Sequence, residues 1–259
     1  MLRPPSRERP SYTIRLANSE RRVLEAAAVE HREYLAEFIR RTALQAARRE
    51  LIGPQDEAVE PAPPLAIIQA RMGSKRLPGK MIKMLGDHPL IWHAWHAASE
   101  AFGARNVVFA IPASSENDVL ANVIDDMDTD GHQTNLFRWP GPESDVLGRF
   151  HMCAHTYRWH PLSVIVRITP DDPFKDPRKM WDVVFGGTRH PVEISCEAFT
   201  LDTLSVAHNT IENLDQREHI THALFPVGPP PAPAGTWTID TPDDLKRARK
   251  VLKMRSEGV

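Results

Sequence analysis

From Leu65 onward the chain alternates between two kinds of hydrophobic pattern. Short apolar runs recur, LAIIQA at 65–70, NVVFAIP at 106–112, LFRWP at 136–140 and LSVIVRITP at 162–170. Between them lie longer stretches whose apolar residues return every three or four positions, PLIWHAWHAASEAF at 89–102, NDVLANVIDDM at 117–127 and DVLGRFHMCAHTY at 145–157. The short runs suit strands buried on both faces, and the longer spacing suits helices with one buried stripe. Two later segments, PVEIS and TWTI (236–239), read as further strands. Strands alternating with helices predict an α/β fold, a mostly parallel sheet with helices on both faces, in which ligands bind beyond the carboxyl ends of the strands.

Before Leu65 the pattern differs. Tyr12, Ile14 and Leu16 alternate with Ser11, Thr13 and Arg15, which predicts one half-buried strand. Asn18 or Ser19 then offers a helix cap before the apolar positions Val23, Leu24, Ala27 and Ala28. A second helix follows the break at His31–Glu33, with Leu35, Phe38, Ile39, Thr42 and Ala46 on one stripe. A strand and two helices in so few residues enclose too little core to stand alone, so this unit calls for a second copy of itself. The stretch GPQDEAVEPAPP, rich in proline and acid, cannot pack and reads as a semi-rigid spacer. The expected domains are therefore residues 1–52, a linker at 53–64, and a body at 65–259.

Composition adds three limits. With 259 residues, 41% hydrophobic and 25% charged, there is material for one large core and a smaller appended unit. No run approaches the ~18 apolar residues that a membrane helix needs, and the start MLRPPSRERPS lacks the apolar core of a secretory signal, so no membrane is expected and a cytoplasmic location is. Cys153 and Cys196 have no CxxC partner, which argues against a disulfide framework or structural zinc. The net charge of −2 hides an asymmetry: residues 1–52 carry 11 arginines against 7 glutamates, and the rest carries 21 bases against 27 acids. A basic front on an acidic body hints at a polyanionic partner for the front.

The chemistry concentrates directly after the first strand of the body. The loop RMGSKRLPGK holds Arg71, Lys75, Arg76 and Lys80, enough to neutralise a triphosphate, and Gly73 and Gly79, which let backbone approach an anion closely. It fits neither GxxxxGK[ST] nor GxGxxG. Two carboxylates, Asp171 and Asp240, follow predicted strands. Each has a neighbour better placed to cap the next helix: Asp176 before Pro177, and Thr241 before Pro242 with Asp244 completing a capping box. Asp171 and Asp240 are then free for a hard cation, and magnesium is commonly held by one or two carboxylates together with substrate phosphates. Trp92, His93, Trp95 and His96, by contrast, read as core and rim of a helix packed on the sheet.

Taken in order, IIQARMGSKRLPGK, DVLGRF, VIVRITPDDPFKDP, REHIT and WTIDTPDDL resemble the cytidylyltransferase family of the spore-coat polysaccharide biosynthesis type, and more distantly the CMP-Kdo and CMP-acylneuraminate synthetases. The resemblance runs from about Leu65 to Leu252. It implies a Rossmann-like fold of the nucleotide-diphosphosugar transferase kind, CTP as donor, a sugar or sugar acid as acceptor, and release of pyrophosphate. It also implies that Ala70, Arg71, Gly73, Ser74 and Lys80 bind the nucleotide, that Lys80, Arg71 and Arg76 act on the triphosphate, and that Asp171 and Asp240 carry Mg2+. Asp145 and Arg149 of DVLGRF and Arg217, Glu218 and His219 of REHIT become candidates for acceptor contacts, with a structural alternative in which Asp145 caps a helix and Arg217 pairs with Glu218. The sequence departs from the family at RITPDDP, where relatives read RITGDCP, in a short stretch between Phe185 and Pro191, and in the proline-rich residues 227–235.

The front segment RLANSERRVLEAAAVEHREYLAEFIRRTALQAA resembles the antitoxin branch of the ribbon-helix-helix family. That implies a homodimer whose paired strands read DNA through Ser11, Thr13 and Arg15; Arg can be bidentate to guanine, and Ser or Thr serves either base type. The alternative is a module that only dimerises. Two functions of different class result: an enzyme making a CMP-activated sugar, or a DNA-binding regulator whose transferase-like domain senses a nucleotide.

Overall fold

A computed structural model describes residues 20–24, 63–129, 131–158, 163–185, 196–220, 224 and 237–256. By its internal contacts the chain divides into two units, Met1–Ala58 and Val59–Val259. Of the first, only the helical residues 20–24 are described, so Ser11, Thr13 and Arg15 lie outside the described residues.

The second unit is built on a five-stranded sheet of order β5-β4-β1-β6-β7. Its strands are β1 (Leu65–Gln69), β4 (Val107–Pro112), β5 (Leu136–Trp139), β6 (Val164–Ile168) and β7 (Cys196–Thr200). The first four run parallel, and β7 is antiparallel to β6. β2 (Met84–Leu85) and β3 (His88–Pro89) form a small separate hairpin. The helices are α1 (Leu90–Phe102), α2 (Asp118–Thr129), α3 (Val146–Tyr157), α4 (Pro177–Phe185), α5 (Leu201–Thr210), α6 (Leu214–Glu218) and α7 (Pro242–Ser256).

The alternation along each strand explains the three layers. Ala66, Ile68, Val107, Phe109, Ile111, Val166 and Ile168 face one core with α1, α2 and α7. Leu65, Ile67, Val108, Ala110 and Ile165 face the other, with α3 and α5. A strand covered on both faces has no need of polar positions, which is why the expected strands read as uninterrupted apolar runs. The α/β reading of the sequence is thus the observed fold.

One expected strand is absent. Residues 237–240 form no strand; Ile239 N–H donates a single bond to the Asp171 carbonyl, 2.8 Å. Both edges of β6 are already occupied, by β1 and β7, so this segment can meet the sheet only beyond the end of β6. The PVEIS segment falls on residues outside those described, and the strand near it is Cys196–Thr200.

Candidate functional site

The site lies at the carboxyl ends of β1, β4 and β6. After Gln69 the chain leaves the sheet as the loop 71–79, and left-handed Gly79 (φ 65°) turns it into a 3-10 turn, Lys80–Ile82. That turn sends Lys80 inward, where its side chain is only 12% exposed. Its Nζ donates to Asp240 Oδ1 at 3.0 Å and to the Ile239 carbonyl at 3.1 Å, and lies 3.7 Å from Asp171 Oδ2. Arg76 reaches the other oxygen of Asp240 at 2.9 Å. Two carboxylates distant in sequence thus meet at one cation. Burial works against the charge of Asp171, but Lys80, Lys175 and the Thr169 hydroxyl hold its carboxyl below the usual carboxylate range.

Capping is arranged as the sequence predicts. Asp244 Oδ2 accepts from the N–H groups of Asp240 (3.2 Å) and Thr241 (2.9 Å), and Thr241 Oγ1 accepts from Asp244 N–H at 3.2 Å. Asp176 accepts from Arg178 N–H at 2.9 Å. Neither Asp171 nor Asp240 is consumed as a cap. The pair fits the demands of a hard divalent cation: two carboxylate oxygens already converge on a cation, on the side of the site where the basic loop would hold phosphates. Among the described residues no group of three or more His, Cys, Asp or Glu could hold a metal by itself.

A second cluster lies around α3. Asp145 caps the helix through Gly148 N–H at 2.9 Å and holds Arg217 by two bonds, Nε–Oδ1 at 2.9 Å and NH2–Oδ2 at 3.1 Å. Burial opposes its charge, yet Arg217 and the Gly148 N–H outweigh this and lower the carboxyl. Arg217 also donates to the carbonyls of His208 and Ile211. Asp145 and Arg217 are therefore joined in one clamp, and Arg217 pairs with Asp145 rather than with Glu218. Glu218 instead meets Arg71 at 3.4 Å, and Glu143 meets the same guanidinium at 3.2 Å. Arg149 is 1% exposed, and its Nε and NH1 have no hydrogen-bond partner among the described residues. Burial and the nearby Arg71 push it down to about 10, against the pull of Glu143 and Asp145. His219 caps the end of α6.

Ser74 Oγ accepts from Leu77 N–H at 3.4 Å, closing the loop on itself. A Cβ on Gly73 would lie 3.1 Å from Glu143 Oε1, so the glycine admits a close carboxylate. Ala70 is buried beneath the loop, its N–H bonded to the Ala110 carbonyl. Sequence reasoning passed over Glu143, and also Lys175, a fully buried ammonium 3.9 Å from Asp172. Burial depresses that ammonium while Asp172 and Asp171 oppose the shift. No periodicity marks either residue, and although Lys175 stands inside the VIVRITPDDPFKDP motif, only the assembled structure shows what the two side chains meet. Trp95 is buried and His96 exposed, with Trp92 stacked between His88 and His96, a core-to-rim arrangement.

Known proteins resemble this body in sequence and in fold. Residues 65–184 match the family model described as cytidylyltransferase. This stretch is similar to the cytidylyltransferases. The match indicates a nucleotidyltransferase. An uncharacterized protein of Methanocaldococcus jannaschii is 28% identical over 71% of the chain and 74% of its own length. The spore coat polysaccharide biosynthesis protein SpsF of Bacillus subtilis is 38% identical over 44% of the chain, and the 3-deoxy-manno-octulosonate cytidylyltransferase of Methylococcus capsulatus 33% over 45%. The chain spans less than half of those two proteins, 45% and 41%. Among solved structures, a cytidylyltransferase from Leptospira borgpetersenii superposes with a TM-score of 0.56 at 23% identity, covering 74% of this chain and 94% of that one. A CMP:2-keto-3-deoxy-manno-octonic acid synthetase complexed with CTP gives 0.54 at 16%, covering 74% and 99%. Both share the fold of this body. No helix among the described residues is long and apolar enough to cross a membrane.

Proposed function

We propose that the cytidylyltransferase domain, with residues 65–259 as its extent, transfers CMP from CTP to a sugar or sugar acid and releases pyrophosphate. The observation that carries this reading is the convergence of Asp171 and Asp240 on Lys80, at the foot of the glycine loop of a family-matching domain. Relatives named for polysaccharide biosynthesis and for a cytidylyltransferase acting on an octulosonate support the substrate class.

In this mechanism Arg71, Gly73, Ser74, Arg76 and Lys80 hold the triphosphate, and Ala70 lies beneath the nucleotide. An acceptor hydroxyl oxygen attacks the α-phosphorus in line and gives up its proton to solvent; the new P–O bond forms as the bond to the bridging oxygen of the β-phosphate breaks. Arg71, Arg76 and Lys80 stabilise the charge gathering on the departing pyrophosphate. A magnesium ion shared by Asp171, Asp240 and the phosphates would add charge neutralisation. Binding then moves Lys80 and Arg76 from carboxylate to phosphate. Arg149, with two unused nitrogens, Glu218 and His219 face the acceptor, while Asp145 and Arg217 clamp the helix that carries Arg149. Residues 1–52 form a ribbon-helix-helix dimer on the linker 53–64 and contact DNA through Ser11, Thr13 and Arg15.

The test is pyrophosphate release from CTP with magnesium across a panel of sugar acids and sugar phosphates. The expected outcome is turnover with at least one acceptor, and a loss on the order of a hundredfold or more in Asp171→Ala. CTP binding without release for every acceptor would favour the second reading, a regulator that senses the nucleotide.

A further inference from the structure

Asn117 stands immediately before α2, where a sequence reader expects an asparagine to cap a helix. The structure uses it otherwise. Its side chain is fully buried, and its Oδ1 accepts from the backbone N–H of Met72, 45 residues earlier, at 2.9 Å. Its Nδ2 donates to Ser114 Oγ at 2.8 Å, and its own N–H donates to the Ser114 carbonyl at 2.9 Å. Both ends of the amide are thus fixed, one to the turn after β4 and one to the start of the glycine loop.

The need for this contact follows from the sheet. As far as Ala70, whose N–H donates to the Ala110 carbonyl, the chain is supported by β4. Beyond it the loop lifts off the sheet, while the end of β4 turns toward β5, Ala113 N–H donating to the Trp139 carbonyl. Met72, half-buried against the main core, would be left with an N–H lacking a strand partner, and a donor partly shielded from water and left unmet is costly. The Asn117 carboxamide supplies that partner. Met72 lies between Arg71 and Gly73, so fixing its peptide fixes the direction of the Arg71 side chain and the backbone at Gly73 together.

The geometry points to Asn117 as a positioning residue for nucleotide binding: it does not touch the triphosphate but sets the path of the loop that does. This rests on the reading of residues 71–80 as the triphosphate loop. It adds a residue from a different βα connection, outside all the motifs that carried the family resemblance.

The experiment compares wild type with Asn117→Leu, which removes both polar ends at similar volume, and Asn117→Asp, which retains an acceptor for Met72 beside the start of α2, where an anion is tolerated. Two readouts are needed: CTP affinity by calorimetry, and amide hydrogen exchange of peptides covering residues 70–77. We expect CTP to bind about tenfold more weakly to Asn117→Leu, exchange in 70–77 to speed up, and both to return near wild type in Asn117→Asp. Unchanged exchange and affinity in Asn117→Leu would overturn the inference, as would equal loss in both variants. If wild type itself fails to bind CTP, the functional reading falls, while the exchange measurement still decides whether Asn117 anchors the loop. Should Asn117→Leu not fold, Ser114→Ala, which loosens the far end of the amide, must still raise exchange in 70–77 with melting unchanged; no rise would equally overturn it.

Discussion

Among single residues, histidines supply the clearest dependence on pH. The rings of His151 and His208 stack at 4.1 Å, and the His155 ring lies tilted 4.4 Å from that of His151. His208 Nδ1 meets Arg217 NH2 at 3.1 Å, so the cluster leans on the clamp that holds Asp145. Burial, then the neighbouring His208, His155 and Arg217, push His151 down to about 4. Burial and Arg217 likewise lower His208, with Asp145 opposing. The fold therefore favours the neutral imidazole, whereas an unfolded histidine titrates near ~6.5. As pH falls below that value the unfolded chain takes up a proton that folded His151 resists, so the unfolded state gains. Stability present at neutral pH is lost as pH falls from about 6.5 toward the folded value of about 4. Melting temperature should decline across that window, and His151→Phe should flatten the decline. An equal slope in the variant would show that other groups govern acid sensitivity.

At the scale of elements, α7 matters because its start fixes Asp240. The Thr241–Asp244 box satisfies the first N–H groups of the helix and that of Asp240 itself. Asp244 owes its lowered carboxyl first to the Thr241 hydroxyl. Asp244→Ala should cost about 1 kcal/mol, a melting shift of a few degrees. It should also weaken turnover more than that loss explains, since Asp240 loses the contact that orients its backbone. Melting and kcat measured together check this; a stability loss with unchanged kcat would show the cap to be structural alone.

For the whole molecule, the basic front and the acidic body raise the question of a polyanion. Eleven arginines in residues 1–52 against the surplus acid of the remainder are the charge distribution that the proposed DNA contact would require. Retention of promoter DNA should fall steeply with salt, because each neutralised phosphate releases counterions. Arg15→Ala should weaken it and relax preference for sequence as well. Retention that is unaffected by Arg15→Ala would leave the front unit with dimerisation alone.

How far the sequence determined the molecule follows from what is local. The strands β1, β4, β5 and β6, the helices between them, both caps and the basic loop are dictated by neighbours within a turn or two, so hydrophobic period and cap chemistry sufficed to place them. The ordered motifs carried the family resemblance. What only the tertiary structure decided is pairing across long separations. Lys80 bridging Asp171 and Asp240, Arg217 holding Asp145, and Asn117 reaching back to Met72 join residues that no local pattern links. Residues 237–239 fail to form a strand for the same reason: their apolar character is local, but a free edge on β6 is a property of the whole sheet, and β1 and β7 had already taken it.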